Sequence, residues 1–359
     1  MIEFDEVSKT YPNGARAIEN LSLTAETGQL TVFVGPSGCG KTTSLRMVNR
    51  LIRPSSGTIR LNGDDAARLD ETELRRRVGY VIQHVGLFPH RTIEHNVAVT
   101  ARLTGKPRKQ AVEVARELLE RVGLGPEFFR RYPWQLSGGQ QQRVGVARAL
   151  AAESEFLLMD EPFSAVDPIV RTQLQDEFLR LQREFGKTII MVTHDVDEAL
   201  RLGDRIAVFR EGGHIAQFDT PDTLLSAPKD DFVAAFLGSE RGYRSLAFRH
   251  GEGLRPVPVP TVSLDDPGTP EDERWRLAVD ESGRPVGWLP PYEPAERARL
   301  LPCGATAGPN ASLRDLLNAA LSSPSSAALV VDGEGGVAGV VPIDAVLPEL
   351  APSKGAARC

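Results

Sequence analysis

Residues 35–42 read GPSGCGKT, and this stretch decides the fold of the first part of the chain. It fits the pattern G-x-x-x-x-G-K-[ST] and lies between an apolar run, residues 30–34 (LTVFV), and a stretch of helical composition, residues 41–51. Glycines in such a loop let backbone N–H groups turn toward a phosphate, and the helix N-terminus adds a favourable dipole. The segment predicts a strand, a phosphate loop and a helix, with Lys41 on the β- and γ-phosphates of a nucleotide and Thr42 on Mg²⁺.

Two carboxylates follow a second apolar run, residues 156–161 (FLLMDE). Ligands of parallel sheets bind at the carboxyl ends of the strands, so we expect Asp160 to hold Mg²⁺, directly or through water, and Glu161 to act as the general base. With the run at residues 188–192 (TIIMV), the alternation of strands and helices predicts an α/β fold with a mostly parallel sheet. Asn13-Gly14 predicts a hairpin turn in an antiparallel piece at its edge.

Residues 136–140 (LSGGQ), here called the signature segment, precede a helical stretch. Ser137 is a natural N-cap. The two glycines have no side chains to cover the backbone N–H groups, so this helix start is a second candidate anion site. One nucleotide does not need two such helix starts from the same subunit.

On these motifs, residues 1–240 resemble the ATP-binding cassette (ABC) ATPases. The resemblance implies a P-loop NTPase core with an antiparallel β subdomain and a helical subdomain at about residues 91–152. It implies ATP and Mg²⁺ as ligands, and a head-to-tail dimer in which the signature segment of one copy meets the γ-phosphate bound by the other. It also places Tyr11 on adenine, Gln83 near the γ-phosphate and Mg²⁺, and His194 on the γ-phosphate; Asp167 belongs to SAVD, where valine replaces a commoner leucine. The residues that it implies at the nucleotide are Tyr11, Gly35, Pro36, Ser37, Gly38, Cys39, Gly40, Lys41, Thr42, Thr43, Ser137, Gly138, Gly139, Gln140 and Asp167; in catalysis, Lys41, Gln83, Glu161 and His194; at the metal, Thr42, Gln83 and Asp160.

Composition narrows the class of protein. The 359 residues are 41% hydrophobic and 25% charged, as in a folded, water-soluble chain of two domains. With a net charge of -6, the chain lacks the overall positive charge that is typical of nucleic-acid-binding proteins. Its three cysteines have no CxxC spacing, which argues against disulfides or a structural zinc site. Cys39 is interpreted as a small filler of the phosphate loop. Acidic residues at the N-terminus and the lack of an apolar run near 18 residues exclude a signal peptide and a membrane span, so a membrane role requires partner chains.

The spacing of the motifs selects among ABC architectures. Only 96 residues separate Lys41 from Ser137, which leaves no room for the coiled coils of DNA-repair and chromosome relatives, and translation-factor relatives carry two cassettes where this chain has one. We therefore expect an importer subunit at the cytoplasmic face of the inner membrane, with permease partners and, indirectly, a substrate-binding protein. Residues 44–59, 78–98 and 192–212 resemble importers of glycine betaine, choline, carnitine or proline; an amino-acid, sugar or polyamine importer is the alternative.

The sequence changes character after residue 240, where 15 of the 26 prolines lie. The pattern VDxxGxxxGxxP occurs at residues 279–290 and again 52 residues later at 331–342, and each copy predicts a β-hairpin with an acidic glycine turn. A capped helix at residues 312–321 precedes the second copy, whereas prolines, including Pro267 and Pro270, interrupt the region before the first. Residues 241–359 resemble a degenerate tandem of cystathionine-β-synthase-type (CBS) modules, a small α+β region for regulation or dimerisation. Pro342 and Asp344 depart from that pattern, and three alternatives stay open: a structural cap, a small β-barrel domain, and a sensor of ionic strength or nucleotide that gates the cassette.

Overall fold

The computed structural model describes residues 1–82, 86–152, 154–164, 166–251, 253–263, 274–291 and 299–350. It divides into two compact units, Met1–Leu237 and Gly238–Cys359, and the proline-rich part of the sequence makes up the second. Gln83 and the prolines at positions 267 and 270 lie outside the described residues.

The first unit begins with a four-stranded antiparallel sheet of order β2-β1-β4-β5. Its strands are β1 (Ile2–Thr10), β2 (Arg16–Ala25), β4 (Ser56–Leu61) and β5 (Asp64–Asp65). Gly14 has a positive φ of 82° in the turn between β1 and β2, which confirms the hairpin predicted from Asn13-Gly14. The hairpin belongs to this separate sheet and does not extend the edge of the parallel one, since β1 pairs with β2 and β4 and neither hairpin strand belongs to the six-stranded sheet that contains the parallel strands.

A six-stranded sheet of order β10-β9-β3-β8-β7-β6 carries the site. Its strands are β3 (Leu30–Val34), β6 (Val78–Val81), β7 (Phe156–Asp160), β8 (Thr188–Thr193), β9 (Arg205–Arg210) and β10 (His214–Asp219), all parallel except β10. Every residue of β3, β7 and β8 is buried, as continuous apolar runs in a doubly covered sheet predict. Val32 faces a core shared with the helices, and Phe33 faces a core shared with the antiparallel sheet.

Nine α-helices accompany these sheets in the described part of the first unit. They are α1 (Lys41–Val48), α2 (Glu71–Arg77), α3 (Ile93–Leu103), α4 (Arg108–Arg121), α5 (Gly138–Leu150), α6 (Pro168–Phe185), α7 (Val196–Leu202), α8 (Pro221–Ser226) and α9 (Asp231–Leu237). Within the region where a helical subdomain is expected, α4 is amphipathic, since Ala111, Ala115, Leu118 and Leu119 are buried along one face.

The described residues of the second unit form two sheets of three strands, β11-β12-β13 and β14-β15-β16, each with one parallel and one antiparallel pair. Its elements are α10 (Arg241–Ser245), β11 (Thr261–Ser263), β12 (Arg276–Val279), β13 (Pro285–Leu289), β14 (Thr306–Ala307), α11 (Leu313–Ser322), β15 (Ala327–Val331), β16 (Val337–Pro342) and α12 (Ile343–Val346). The helix predicted before the second repeat is α11, capped by Ser312.

The two hairpins of the repeat have the same turn. Asp280 Oδ1 accepts hydrogen bonds from the backbone N–H groups of Ser282 and Arg284, each at 2.9 Å. Asp332 Oδ1 accepts from Glu334 and Gly336 in the same way, at 2.9 and 2.8 Å. An aspartate that holds its own turn in both copies confirms the predicted acidic glycine hairpins.

Each repeat borders on the segment that leads into the other. Val257, which precedes β11, exchanges two backbone hydrogen bonds with Val340 of the second hairpin, at 2.8 and 2.9 Å. Leu301, which precedes β14, exchanges two with Trp288 of the first, at 2.7 and 2.9 Å. Trp288 and Val340 are 52 positions apart and are buried in one apolar cluster, so the two repeats share a core.

Candidate functional site

The phosphate loop connects β3 to α1 and contains three glycines with positive φ. Gly35, Gly38 and Gly40 have φ of 155°, 80° and 97°. A Cβ on Gly35 would lie 2.4 Å from the carbonyl oxygen of Phe209, and one on Gly40 would lie 2.3 Å from that of Ala17. These two positions therefore accept only glycine, because the loop is packed against β9 and β2.

Lys41 is the first residue of α1, and its side chain folds back over the loop. Its Nζ donates hydrogen bonds to the carbonyl oxygens of Gly35 and Pro36, at 2.7 and 2.8 Å. Both acceptors are neutral, so they leave the charge of the ammonium group available for an anion in the loop. Cys39 Sγ lies 3.5 Å from the same Nζ and is buried in the apolar cluster beneath the loop, where a small filler is expected.

Thr42 and Asp160 meet between α1 and the end of β7. Thr42 Oγ1 donates to Asp160 Oδ1 at 2.9 Å, across 118 positions of sequence. Burial raises the pKa of Asp160, while Arg46 and Lys41 favour its charged form. Mg²⁺ in nucleotide sites is commonly bound through one or two protein oxygens, with waters and substrate phosphates supplying the rest. The hydroxyl and carboxylate fit that requirement.

Glu161 follows β7 with a φ of 48°, a left-handed conformation that few non-glycine residues adopt. Its N–H donates to the carbonyl oxygen of Val192 at 2.9 Å, which fixes the bend. Its Oε1 lies 3.2 Å from Nδ1 of His194. The bend turns the carboxylate away from the strand axis and toward the imidazole, an arrangement suited to accepting a proton from water.

Tyr11 directly follows β1 and lies beside the start of α1. Its hydroxyl lies 3.4 Å from Thr43 Oγ1, and Lys9 Nζ lies 5.4 Å from its ring centre. This contact places the Tyr11 hydroxyl at α1, two residues after Lys41 and on the C-terminal side of the phosphate loop. The contact is compatible with the stacking role that the resemblance implies.

The signature segment forms a capping box at the start of α5. Ser137 Oγ accepts from the N–H of Gln140 at 3.3 Å, and Gln140 Oε1 accepts from the N–H of Ser137 at 3.0 Å. The predicted N-cap is confirmed. The reciprocal role of Gln140 was missed, although its S-x-x-Q spacing is the sequence sign of a capping box. Ser137 and Gly138 are exposed, as is Asp167 before α6.

The structure thus gathers the phosphate loop, Thr42, Asp160, Glu161 and His194 at the carboxyl ends of β3, β7 and β8. One further residue was missed. Arg46 lies one helical turn after Thr42, hydrogen bonds to Tyr80, and favours the charged form of Asp160. The i, i+4 spacing on α1 could have indicated it. In the described parts of the chain, we find no helix with the length and apolarity that crossing a membrane requires.

Known proteins similar to this chain are ATP-binding proteins of transporters. The family model described as "ABC transporter" matches residues 18–164. The choline transport ATP-binding protein OpuBA of Bacillus subtilis is 53% identical over 241 residues, which are 67% of this chain and 63% of that protein. The osmoprotectant import ATP-binding protein OsmV of Salmonella typhimurium is 40% identical over 98% of this chain and 96% of its own length. The chain thus spans less than two thirds of the first relative and nearly all of the second.

Solved structures resemble the first part of the chain. A dimeric, post-hydrolysis ATP-binding cassette bound to ADP and Pi matches with a TM-score of 0.57 and 32% identity, over 62% of this chain and 99% of that one. The cbiO1 protein from Clostridium perfringens, part of an ABC transporter complex, matches with a TM-score of 0.58 and 26% identity, over 63% of this chain and 90% of its own.

Proposed function

This chain belongs to the ATP-binding subunits of ABC transporters, and on that premise we propose that it hydrolyses ATP to drive import of a quaternary-amine osmoprotectant. The relatives named for choline and osmoprotectant transport support this class. Its candidate members are glycine betaine, choline and carnitine, and we include proline as a related zwitterion. The observation that carries the proposal is at the end of β7, where Asp160 bonds to Thr42 and the next residue, Glu161, contacts His194.

The residues around the phosphate loop have separate roles in ATP hydrolysis. Backbone N–H groups of residues 35–43 and the ammonium group of Lys41 bind the phosphates of ATP. Thr42 and Asp160 hold Mg²⁺, which when bound neutralises charge on the β- and γ-phosphates. Glu161 accepts a proton from the attacking water, whose oxygen bonds to the γ-phosphorus as the bond to the bridging oxygen breaks and ADP leaves. His194 donates a hydrogen bond to the γ-phosphoryl oxygens as their charge develops.

Two copies of the chain complete the sites. We assign the exposed start of α5, with Ser137, Gly138, Gly139 and Gln140, to the γ-phosphate bound by the other copy. The capping box does not use the N–H groups of Gly138 and Gly139, and these groups, with the helix dipole, suit an anion that this copy does not itself hold. Asp167 and Gln83 are assigned to the same nucleotide sites, and Gln83 also to Mg²⁺, by their match to the family motifs.

The transported solute requires other chains. We assign the subunit to the cytoplasmic face of the inner membrane, beneath two permease subunits that contact the helical subdomain, α3 to α5. A substrate-binding protein delivers the solute to the permease. A quaternary amine carries a cation that aromatic cages bind well. We therefore assign recognition of the substrate to the binding protein.

The test has two stages. The purified chain is assayed for phosphate release from Mg-ATP, and absence of release would refute the ATPase assignment. The chain is then expressed with the permease and the binding protein that copurify with it. Uptake of labelled glycine betaine, choline, carnitine and proline is compared with uptake of other amino acids, a sugar and a polyamine. Uptake confined to the second group would leave the ATPase in place and reject the osmoprotectant.

For the second unit we propose a CBS-like regulatory or dimerisation role. The paired repeat with a shared core supports it. Removal of residues 241–359 should leave basal ATP hydrolysis intact and abolish the dependence of transport on salt or nucleotide. Regulation that survives the deletion would make the second unit a structural cap.

A further inference from the structure

His194 directly follows β8, and its side chain is 59% exposed. Packing alone does not fix so exposed an imidazole, so the backbone on either side of it decides where the ring lies. Thr193, the residue before it, is buried and ends β8. The N–H of Asp195, the residue after it, donates to Thr193 Oγ1 at 3.1 Å. One threonine hydroxyl therefore holds the turn that contains His194.

The Thr193 hydroxyl is oriented by a buried carboxylate. It bonds to Glu198, which is 7% exposed and lies on the first turn of α7. A hydroxyl has one proton to donate and two lone pairs that accept, whereas an ionised carboxylate only accepts. Burial raises the pKa of Glu198, and the bond from Thr193 opposes that rise, as donation to the charged form requires. Glu198 thereby leaves the lone pairs of Oγ1 for the N–H of Asp195.

Donors and cations on α6 hold this arrangement from the other side. Gln175 Nε2 donates to Glu198 Oε1 at 3.1 Å, and both side chains are buried. One helical turn earlier, a guanidinium nitrogen of Arg171 lies 3.7 Å from Oδ2 of Asp195. Asp195 Oδ1 in turn caps α7 by accepting from the N–H of Glu198 at 3.2 Å. The contacts form a closed loop from Thr193 through Glu198 and Asp195 back to Thr193.

We propose that Glu198 is a positioning residue for ATP hydrolysis, whose carboxylate orients the Thr193 hydroxyl and so holds His194 where its imidazole reaches the γ-phosphate. The inference rests on the proposed function, in which His194 donates a hydrogen bond to the γ-phosphoryl oxygens. Because Glu198 is buried between α7 and Gln175 of α6, it acts through Thr193 and not on the nucleotide.

Variants of the full-length chain separate positioning from folding. Glu198→Leu removes the acceptor for Thr193 and Gln175, whereas Glu198→Gln keeps an acceptor oxygen. Thr193→Val removes the hydroxyl with little change of shape, and Thr193→Ser keeps it. The matched control is Arg201→Met, because Arg201 pairs with Asp176 at 2.6 Å and so joins the same two helices through exposed side chains. Phosphate release gives kcat, and a fluorescent ATP analogue gives Kd.

We expect Glu198→Leu and Thr193→Val to lower kcat by about tenfold to 10²-fold, since misplacing a reacting group by about 1 Å can cost about 10²-fold. The Kd of the analogue should stay near the wild-type value, because the phosphate loop is untouched. Glu198→Gln, Thr193→Ser and Arg201→Met should keep the wild-type kcat.

A double-mutant cycle tests whether Glu198 acts through His194. In a His194→Ala background, Glu198→Leu should lower kcat no further, because the group that it would misplace is absent. A merely structural loss would lower kcat by the same factor in both backgrounds, and that result would overturn the inference. If His194→Ala leaves no measurable hydrolysis, Thr193→Val and Thr193→Ser decide, and equal kcat in these two variants rejects the positioning role.

An unchanged kcat in whichever of Thr193→Val and Glu198→Leu folds would also overturn the inference. In each of these cases, ATP hydrolysis by the wild-type chain leaves the proposed function standing. Absence of hydrolysis by the wild-type chain rejects the function and the inference together.

Discussion

Nδ1 of His194 lies 3.2 Å from Oε1 of Glu161, although the two residues belong to different strand ends. β7 and β8 are parallel neighbours, with Asp160 paired to Val192. The residue after each of these strands therefore reaches the same place, and the left-handed bend at Glu161 turns its carboxylate toward the imidazole. The relationship depends on strand register and on one unusual φ angle.

Glu161→Gln should lower kcat for ATP hydrolysis by roughly 10²- to 10⁴-fold, the range that general acid–base catalysis supplies. The amide keeps the size of the side chain but cannot accept the proton of water. ATP should still bind, and an ATP-bound dimer should accumulate in size-exclusion chromatography. The matched control is Glu334→Gln, at an exposed turn of the second unit. Hydrolysis by Glu161→Gln at the wild-type rate would refute the mechanism.

Thr42→Ala should raise the Mg²⁺ concentration needed for half-maximal hydrolysis by about tenfold, since loss of an oxygen ligand weakens a metal site. Thr42→Ser should restore the wild-type value, because serine keeps the hydroxyl that meets Asp160. The measurement is phosphate release titrated with Mg²⁺ at fixed ATP. Equal Mg²⁺ dependence in all three proteins would remove Thr42 from the metal site.

Ser137→Ala should destabilise the first unit by about 1 kcal/mol through loss of its N-cap, and should also reduce ATP-dependent dimerisation. Ser312→Ala is a matched control, because Ser312 forms the same capping box on α11 with Asp315. Both variants should lower the denaturant midpoint of their own unit, but only Ser137→Ala should impair hydrolysis. Equal hydrolysis in the two variants would limit Ser137 to a capping role.

Asp280→Ala and Asp332→Ala should destabilise the second unit by similar amounts, about 1–2 kcal/mol each. Each carboxylate accepts two backbone hydrogen bonds in the same turn geometry, and bonds to a charged acceptor are stronger than neutral ones. Unfolding can be followed by the fluorescence of Trp275 and Trp288, with Trp134 replaced by Phe. An effect confined to one variant would show that the two repeats are not energetically equivalent.

Glu198→Gln should change the pH dependence of stability. Burial raises the pKa of Glu198, so between its unfolded and folded pKa the folded state binds more protons, and wild-type stability falls as pH rises through that interval. Glutamine cannot ionise and escapes this loss. The Tm of the variant relative to wild type should therefore be higher at pH 8 than at pH 4, whereas the exposed substitution Glu120→Gln should show no such trend.

The sequence predicted those parts of the site that follow from strand ends and glycine spacing. Thr42 and Asp160 were expected at one metal although 118 positions separate them, because a loop after one parallel strand meets the carboxyl end of another. The bend at Glu161 was not predicted, because a left-handed φ at glutamate has no local sequence sign. The connection from Arg171 to Asp195 was also not predicted, since it depends on the rotation of α6 against α7.

In the second unit, the repeat at an offset of 52 residues predicted both hairpins. It did not predict that each hairpin pairs with the segment that leads into the other. Val257 and Leu301 carry no motif, and their partners are fixed only when the two repeats pack together. Local turn chemistry can be read from one copy, whereas pairing between copies depends on the tertiary core.

Each repeat pairs with the segment that leads into the other, and this pairing makes the second unit sensitive to partial deletion. Loss of either copy would strip Val340 or Trp288 of its backbone partner and expose an open strand edge, which invites aggregation. We therefore expect a protein that lacks half of the second unit to aggregate more readily than one that lacks all of it. The two repeats thus form one folding unit, in which neither copy is complete without the segment that leads into the other.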